Sequence, residues 1–151
     1  MPLQGCSIDF VEVEVDVETG EITTINYVVA VDPGRAINPD GVEGQFQHAL
    51  SAGMGWSLME KLVVDKTTGR PLNANYLDYK IPTTLDIAES SSIVMVEPID
   101  PVGPFGAKGA GEEAIASSAG AFVNAIHVAI GVKFNDFPIT PDKILKALGK
   151  G

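Results

Sequence analysis

Val11, Val13, Val15 and Val17 alternate with Glu12, Glu14, Asp16 and Glu18, a period of two that sends the valines to a core and the carboxylates to water. A return strand over Ile22–Val31 follows the turn Glu18-Thr19-Gly20-Glu21, whose glycine supplies the positive φ that a short hairpin loop needs. Residues 7–31 are therefore predicted to form a β-hairpin. The turn pattern D-x-x-T-G at Asp16–Gly20 recurs at Asp65–Gly69, but the flanks differ, so it reads as a reused turn and not a repeat.

Beyond the hairpin the period changes. Asn38-Pro39-Asp40 is a helix start, with Asn as cap, Pro at the first helical position and Asp40 and Glu43 complementing the dipole. Val42, Phe46, Ala49, Leu50, Gly53 and Met54 then recur at spacings of three and four, the stripe of a helix predicted to run to about Glu60. Gly53 and Gly55 weaken that helix by about 1 kcal/mol each relative to Ala, so something must pack closely there. A strand at Lys61–Asp65, a loop-rich stretch 66–91 and a strand near Ile93–Val96 are predicted next. Glu97–Gly111 holds three prolines and four glycines, a loop shaped for a ligand or a linker. A second main helix, Glu112–Ile130, carries Ile115, Ala119, Phe122, Val123, Ile126 and Ile130 on one face and stops at Gly131. A last short helix opens at Thr140-Pro141-Asp142 and carries Ile144, Leu145 and Leu148. The expected class is α+β, a hairpin-rich β-sheet packed against two main helices with a short C-terminal helix, and 1–151 is expected to be a single domain.

Composition narrows the function. The chain has 151 residues with 20 acidic and 10 basic side chains, a net charge of −10, and one cysteine. A domain of this length buries roughly two thirds of the surface its unfolded chain exposes, so it needs no staples. Cys6 has no partner for a disulfide and no zinc or redox spacing, which favours a reducing, cytoplasmic setting. The acidic balance argues against nucleic acid and anionic membranes, and the expectation is that no run of ~18 apolar residues spans a membrane. The mean hydropathy is nevertheless +0.18. Either the core is unusually apolar or some apolar surface meets a partner.

The most informative stretch is GPFGAKGAGEE, Gly103–Glu113. Glycines let main-chain amides approach a ligand, and the helix N-terminus that follows adds partial positive charge, a combination suited to phosphate or another anion. Ala107 and Gly109 flank Lys108 where a Walker A loop requires Gly and Ser/Thr, so that motif fails. Gly109–Ala114 formally matches G-x-G-x-x-A, but that fingerprint must directly follow a strand and the nearest one ends about twelve residues earlier. A loop that merely turns the chain into a helix remains open. Glu112 and Glu113 either complement the dipole or place one carboxylate against the loop's ligand as a general base. His48 and His127 have no partner at metal-ligand spacing and read as packed or surface residues. Gln45 borders the apolar stripe and is either solvated or reaches into a site between the helices.

Asp32-Pro33-Gly34-Arg35-Ala36-Ile37-Asn38-Pro39, Gly44-Gln45, the run from Gly103 to Glu112, and Pro138-Ile139-Thr140-Pro141 occur in an order and spacing similar to the C-terminal part of the molybdenum-binding subunit of the xanthine dehydrogenase/aldehyde oxidase family. The resemblance extends from about Phe10 to Leu148. It implies a molybdopterin-type molybdenum cofactor and the hydroxylation of an aldehyde or N-heteroaromatic with water as oxygen source. Glu112 matches the family's catalytic base by its place after Lys-Gly-x-Gly, Gln45 the pterin-contacting glutamine, and the backbone of Lys108, Gly109, Ala110 and Gly111 the loop around the cofactor. No residue is implied as a metal ligand. Family members often carry proline where this chain has Glu113, so Glu113→Pro is expected to be tolerated. The resemblance further implies a larger molybdenum-subunit segment, iron–sulfur and FAD cofactors on partner subunits, and a chain inactive alone, with exposed apolar surface or self-association when isolated. The alternative is a non-catalytic interaction module or orphan fragment that keeps the fold without cofactor.

Overall fold

The computed structural model describes residues 5–88 and 90–151. Strands β1 (Cys6–Val15) and β2 (Ile22–Asp32) form the expected antiparallel hairpin. Its turn is built by Asp16, whose Oδ1 accepts from the amides of Glu18 (2.7 Å) and Thr19 (3.2 Å), with Gly20 at φ 77°. Asp65 makes the same bonds to Thr67 (2.8 Å) and Thr68 (3.3 Å), with Gly69 at φ 71°. The reused D-x-x-T-G motif is thus a reused geometry, and in both turns these amides hold the aspartate below the usual carboxylate range. Val11, Val13 and Val15 face inward as expected. Val17 does not; β1 ends at Val15, and Val17 stands exposed in the turn.

Pairing shifts between Glu12↔Asn26 and Val13↔Thr24, leaving Ile25 as a bulge. The bulge moves the inward set of β2 from Tyr27, Val29 and Val31 to Ile22 and Thr24, so one strand serves two phases of the core. Strand β3 (Ser90–Met95) adds to β2 in parallel, giving the order β1-β2-β3. It begins before the predicted Ile93. The predicted strand at Lys61–Asp65 is absent; only a single bridge, Val64↔Pro71, forms beside the Asp65 turn. Leu62, Val63 and Val64 are exposed, and the segment's backbone is tied to that of its neighbour only by Leu72 N to Val63 O at 2.8 Å and Asp65 N to Arg70 O at 2.9 Å.

Helix α1 (Pro39–Met54) is capped by Asn38, whose Oδ1 accepts from the Gly41 amide at 3.3 Å. It continues as one wide turn through Met59, close to the predicted end, with Ser57 Oγ donating to the Gly53 carbonyl at 2.6 Å. The close packing expected at its glycines is present. A Cβ at Gly53 would stand 2.4 Å from Ser118 Cβ of α2 (Glu113–Ile130), so Gly53 is what lets the two helices approach. Helix α2 ends at Gly131, φ 75°, and α3 spans Pro141–Ala147.

Helix α2 lies against β1 and α1 packs on α2. Their shared core contains Tyr27, Val29, Phe46, Leu50, Ile115 and Phe122, with Tyr27 and Phe122 edge to face at 5.6 Å. A second cluster of Ile126, Ile139 and Ile144 anchors α3. Helix α2 is long and apolar enough on average to cross a membrane, although Glu113, Ser117, Ser118, Asn124 and His127 break its apolar run. Ala114, Ile115, Ser118, Phe122 and Ile126 are nevertheless buried in the core, the position of a core helix. Exposed apolar side chains are abundant elsewhere: Tyr76 and Leu85 are each 94% exposed, and Ile8 and Phe10 stand out on the open sheet face. This accounts for the positive hydropathy.

Candidate cofactor site

The site is assembled where two loops meet. Asp32, the last residue of β2, turns the chain by accepting the Gly34 amide on Oδ1 at 2.9 Å, with Gly34 at φ 61°. Its other oxygen, Oδ2, pairs with Lys108 Nζ at 2.5 Å. That hydrogen bond holds the Asp32 carboxyl below its usual range and the Lys108 ammonium above its own. The backbones are joined as well: Lys108 N donates to Pro33 O at 2.9 Å and Arg35 N to Gly106 O at 2.8 Å. Asp100 Oδ1 accepts from Val102 N and Gly103 N, both at 2.8 Å, and these bonds pull its carboxyl down in turn.

Gly103 has no alternative within this loop, because a Cβ there would lie 1.8 Å from Ala107 O. Phe105 adopts φ 54°, a left-handed conformation unusual for a non-glycine residue, and its ring is 81% exposed. The glycine-rich run is therefore a shaped loop and not a linker.

Beyond Lys108 the stitching stops. Among the described residues the amides of Gly109 and Ala110 find no acceptor. The Gly111 amide donates to Glu113 Oε2 at 2.7 Å. Glu113 thus folds back on the loop, whereas Glu112, at the cap position of α2, is exposed and its carboxylate makes no hydrogen bond among the described residues. A hollow of about 220 Å³ between the loops and the start of α1 is lined by Pro33, Arg35, Asn38, Val42, Lys108 and Ala110. Space is also open at Gly111, where an added Cβ would meet nothing within 4 Å.

The sequence-predicted residues distribute as follows. Lys108 and Ala110 line the hollow, and Gly109, Gly111 and Glu112 continue from its edge. Lys108 contributes neither a free amide nor an uncommitted ammonium, since Pro33 and Asp32 hold them. Gln45 is exposed one turn along α1 from Gly41, another lining residue, while Gln47 is engaged by Glu43 at 3.4 Å. His48 is exposed, and His127 is half-buried with Nδ1 unpaired. The role of Arg35 at the rim and the pairing of Asp32 with Lys108 were missed. The sequence cue for both was the Asp32-Pro33-Gly34-Arg35 run, but an ion pair across 76 positions has no sequence period. A larger hollow of about 460 Å³, between β1 and the outer flank of α2, contains none of the predicted site residues.

Comparison with known proteins gives one answer. Residues 3–88 match the family model for the molybdopterin cofactor-binding domain. The chain is 38% identical over 144 residues to the xanthine dehydrogenase molybdenum-binding subunit of Escherichia coli O157:H7, covering 95% of this chain and 19% of that one. It is 36% identical to the aldehyde oxidoreductase molybdenum-binding subunit of Escherichia coli K12, covering 92% and 19%. Among solved structures, quinoline 2-oxidoreductase from Pseudomonas putida 86 superposes with a TM-score of 0.82 at 33% identity, over 91% of this chain and 18% of that one. Aldehyde oxidoreductase from Desulfovibrio gigas superposes with a TM-score of 0.79 at 34% identity, over 92% and 15%. The chain spans about a fifth of the length of the curated relatives it matches.

Proposed function

Because the chain belongs to the molybdopterin cofactor-binding domain family, as found in the molybdenum-binding subunits of xanthine dehydrogenases and aldehyde oxidoreductases, we propose that it is the C-terminal part of the cofactor site of a molybdenum hydroxylase, with Glu112 as general base. The observation that carries this reading is the change of character within one loop. The amides of Gly103, Gly106, Ala107 and Lys108 are all bonded within the protein, whereas among the described residues those of Gly109 and Ala110 have no acceptor and the next carboxylate, Glu112, is exposed with no hydrogen bond. Free amides leading into a helix N-terminus suit an anionic, phosphate-bearing pterin, so the donor set fits the family's cofactor.

Bound there, a molybdenum cofactor supplies two-electron oxidation of the substrate with oxygen taken from water. The amides of Gly109 and Ala110 and the start of α2 hold its anionic groups, with Arg35 adding positive charge at the rim. The Gln45 side chain offers both a donor and an acceptor to pterin heteroatoms. Glu112 would take up on its carboxylate the proton released from water when an aldehyde or N-heteroaromatic is hydroxylated. Activity requires a larger molybdenum-subunit segment together with iron–sulfur centres on partner subunits, any FAD also being carried by a partner, and the setting is the cytoplasm. The apolar surface around Tyr76, Leu85, Ile8 and Phe10 supports assembly with such partners.

One observation favours a second reading. Glu113 already fills the Gly111 amide with a carboxylate of the chain itself, as in a module that keeps the fold without cofactor. Co-expression with a larger molybdenum subunit, followed by elemental analysis, separates the two. Stoichiometric molybdenum is expected in the complex; a metal-free chain in every complex overturns the enzyme reading.

A further inference from the structure

Beneath the turn that carries Glu112 lies a row of oxygens that the proposed cofactor chemistry does not use. Strand β1 turns its odd-numbered side chains toward α2, and beside Val11, Val13 and Val15 two of these are polar, Ser7 and Asp9. Ser7 Oγ reaches the Glu113 carbonyl at 2.7 Å and lies 3.0 Å from Ser117 Oγ. Ser117 Oγ in turn lies 2.8 Å from Asp9 Oδ1, and Tyr27 Oη donates to Asp9 Oδ2 at 2.8 Å. The row runs from the core to the first turn of α2. Its inner end is fixed, since Tyr27 is 2% exposed and packed edge-on against Phe122.

Hydrogen supply decides how the row works. It has four oxygen–oxygen contacts, but with Asp9 ionised only the hydroxyls of Tyr27, Ser117 and Ser7 bring hydrogens, which makes three. Then Ser7 and Ser117 face each other through lone pairs, or Ser7 turns to Ser117 and releases the Glu113 carbonyl, or Ser117 turns to Ser7 and leaves Asp9 Oδ1 without its hydrogen. A proton on Asp9 completes the row, running Asp9 to Ser117, Ser117 to Ser7, and Ser7 to Glu113 O. Burial pushes the Asp9 carboxyl upward, opposed by the hydrogen bonds from Ser117 and Tyr27. The groups facing it are Tyr27 from β2 and Ser117 from α2. Glu12 and Glu14 lie on the other face of β1, Glu113 turns its carboxylate to Gly111, and Asp40, Glu43 and His48 of α1 are exposed. His127 of α2 lies nearly three turns beyond Ser117.

We propose that Asp9 is the positioning residue of the Glu112 turn: through Ser117 and Ser7 its carboxyl fixes the Glu113 carbonyl, and so sets where the first turn of α2 holds the Glu112 carboxylate over the glycine loop. The consequence for turnover rests on the reading of Glu112 as base; the coupling between Asp9 and α2 does not.

The coupling is read by NMR on the 151-residue chain, following the Asp9 carboxyl carbon and the amides of residues 111–117 against pH. The Asp9 midpoint is expected above that of an ordinary aspartate, with the amides of Glu112, Glu113 and Ser117 moving at the same midpoint. In Asp9→Asn the side-chain amide donates permanently to Ser117 while its oxygen accepts from Tyr27, so those amides should stay at their low-pH positions. Amides that do not follow Asp9, or that titrate unchanged in Asp9→Asn, overturn the proposal. In the assembled enzyme Ser7→Ala removes only the last link, and kcat should fall about tenfold with KM within about twofold and molybdenum content unchanged. A kcat within about twofold of wild type overturns the positioning role. If Glu112→Gln keeps its turnover while the amides still follow Asp9, it is the base assignment that fails. If Glu112→Gln is inactive while Ser7→Ala is not impaired and the amides are uncoupled, only the positioning fails.

Discussion

Two halves of the same glycine-rich loop behave differently. From Gly103 to Lys108 the chain is tied down by Asp100, by the Pro33 carbonyl and by the Asp32 ion pair. Beyond Lys108, the amides of Gly109 and Ala110 and the Glu112 carboxylate have no partner among the described residues, and only the Gly111 amide is taken, by Glu113. The first half spends its polar groups on shape, and the second leaves most of its own open. Rigid support beneath an open donor set is the arrangement that gives preorganised binding, because the ligand need not pay for ordering the loop.

The largest expected effect lies in the open half. In the assembled enzyme Glu112→Gln keeps shape and removes the proton acceptor, so turnover should fall by about 10³-fold or more with molybdenum content unchanged. Turnover within about threefold of wild type would remove Glu112 from the chemistry and leave the open half as a binding surface alone.

The stitched half should fail in a different way. Gly103→Ala places a Cβ 1.8 Å from the Ala107 carbonyl, and backbone must shift to relieve it, at about 2–3 kcal/mol. Thermal denaturation should register that loss in the isolated chain with no cofactor present. A melting curve unchanged from wild type would mean that the loop is softer than its hydrogen bonds indicate.

Between the halves stands Glu113, and here the expectation from the sequence requires correction. Proline suits a first helical position, but it drives the preceding residue out of the α region. Glu112 sits at φ −87°, ψ −8°, inside that region. Glu113→Pro should therefore swing the Glu112 backbone and also free the Gly111 amide from its 2.7 Å bond, for about 1–2 kcal/mol. Glu113→Gln, which keeps an acceptor at the same reach, should cost less than Glu113→Pro. Equal melting temperatures for the two would show that the backbone at Glu112 does not resist proline.

What was readable in advance follows the same division. Periodicity found the hairpin, both main helices and the inward stripe of α1, since burial on one face writes itself into spacing. The bulge at Ile25 escaped because Thr23-Thr24-Ile25-Asn26 carries no glycine or proline to mark it. β3 was mistaken at its start because Ser90, Ser91 and Ser92 have no strand propensity and pair through their backbones with Asn26, Tyr27 and Val28. Lys61–Asp65 looked like a strand by its valines, but it meets only 70–73, where Pro71 has no N–H to extend the pairing beyond one bridge. At the candidate site, the glycine-rich loop was visible as a motif. Which amides were already taken was not, because Lys108 meets Asp32 and Pro33, and Glu113 meets Gly111, only after folding.

The Asp32–Lys108 pair gives the smallest effect and the finest test of the stitched half. Its hydrogen bond lowers the Asp32 carboxyl and raises the Lys108 ammonium. A lowered carboxyl contributes stability that is present above the ordinary aspartate range and lost as pH falls through its folded value. A raised ammonium contributes stability that is present below the ordinary lysine range and lost as pH rises through its folded value. The pair should therefore stabilise across neutral pH and fade at both extremes. Lys108→Met keeps the stem and removes the charge, so its melting temperature should fall below wild type at pH 7, by less than in Gly103→Ala. The deficit should shrink below the ordinary aspartate range and be reduced by salt, since both side chains retain some exposure. A deficit that stays constant from neutral pH into acid would assign the loss to packing of the lysine stem, and the tie between the two loops would then rest on their backbones alone.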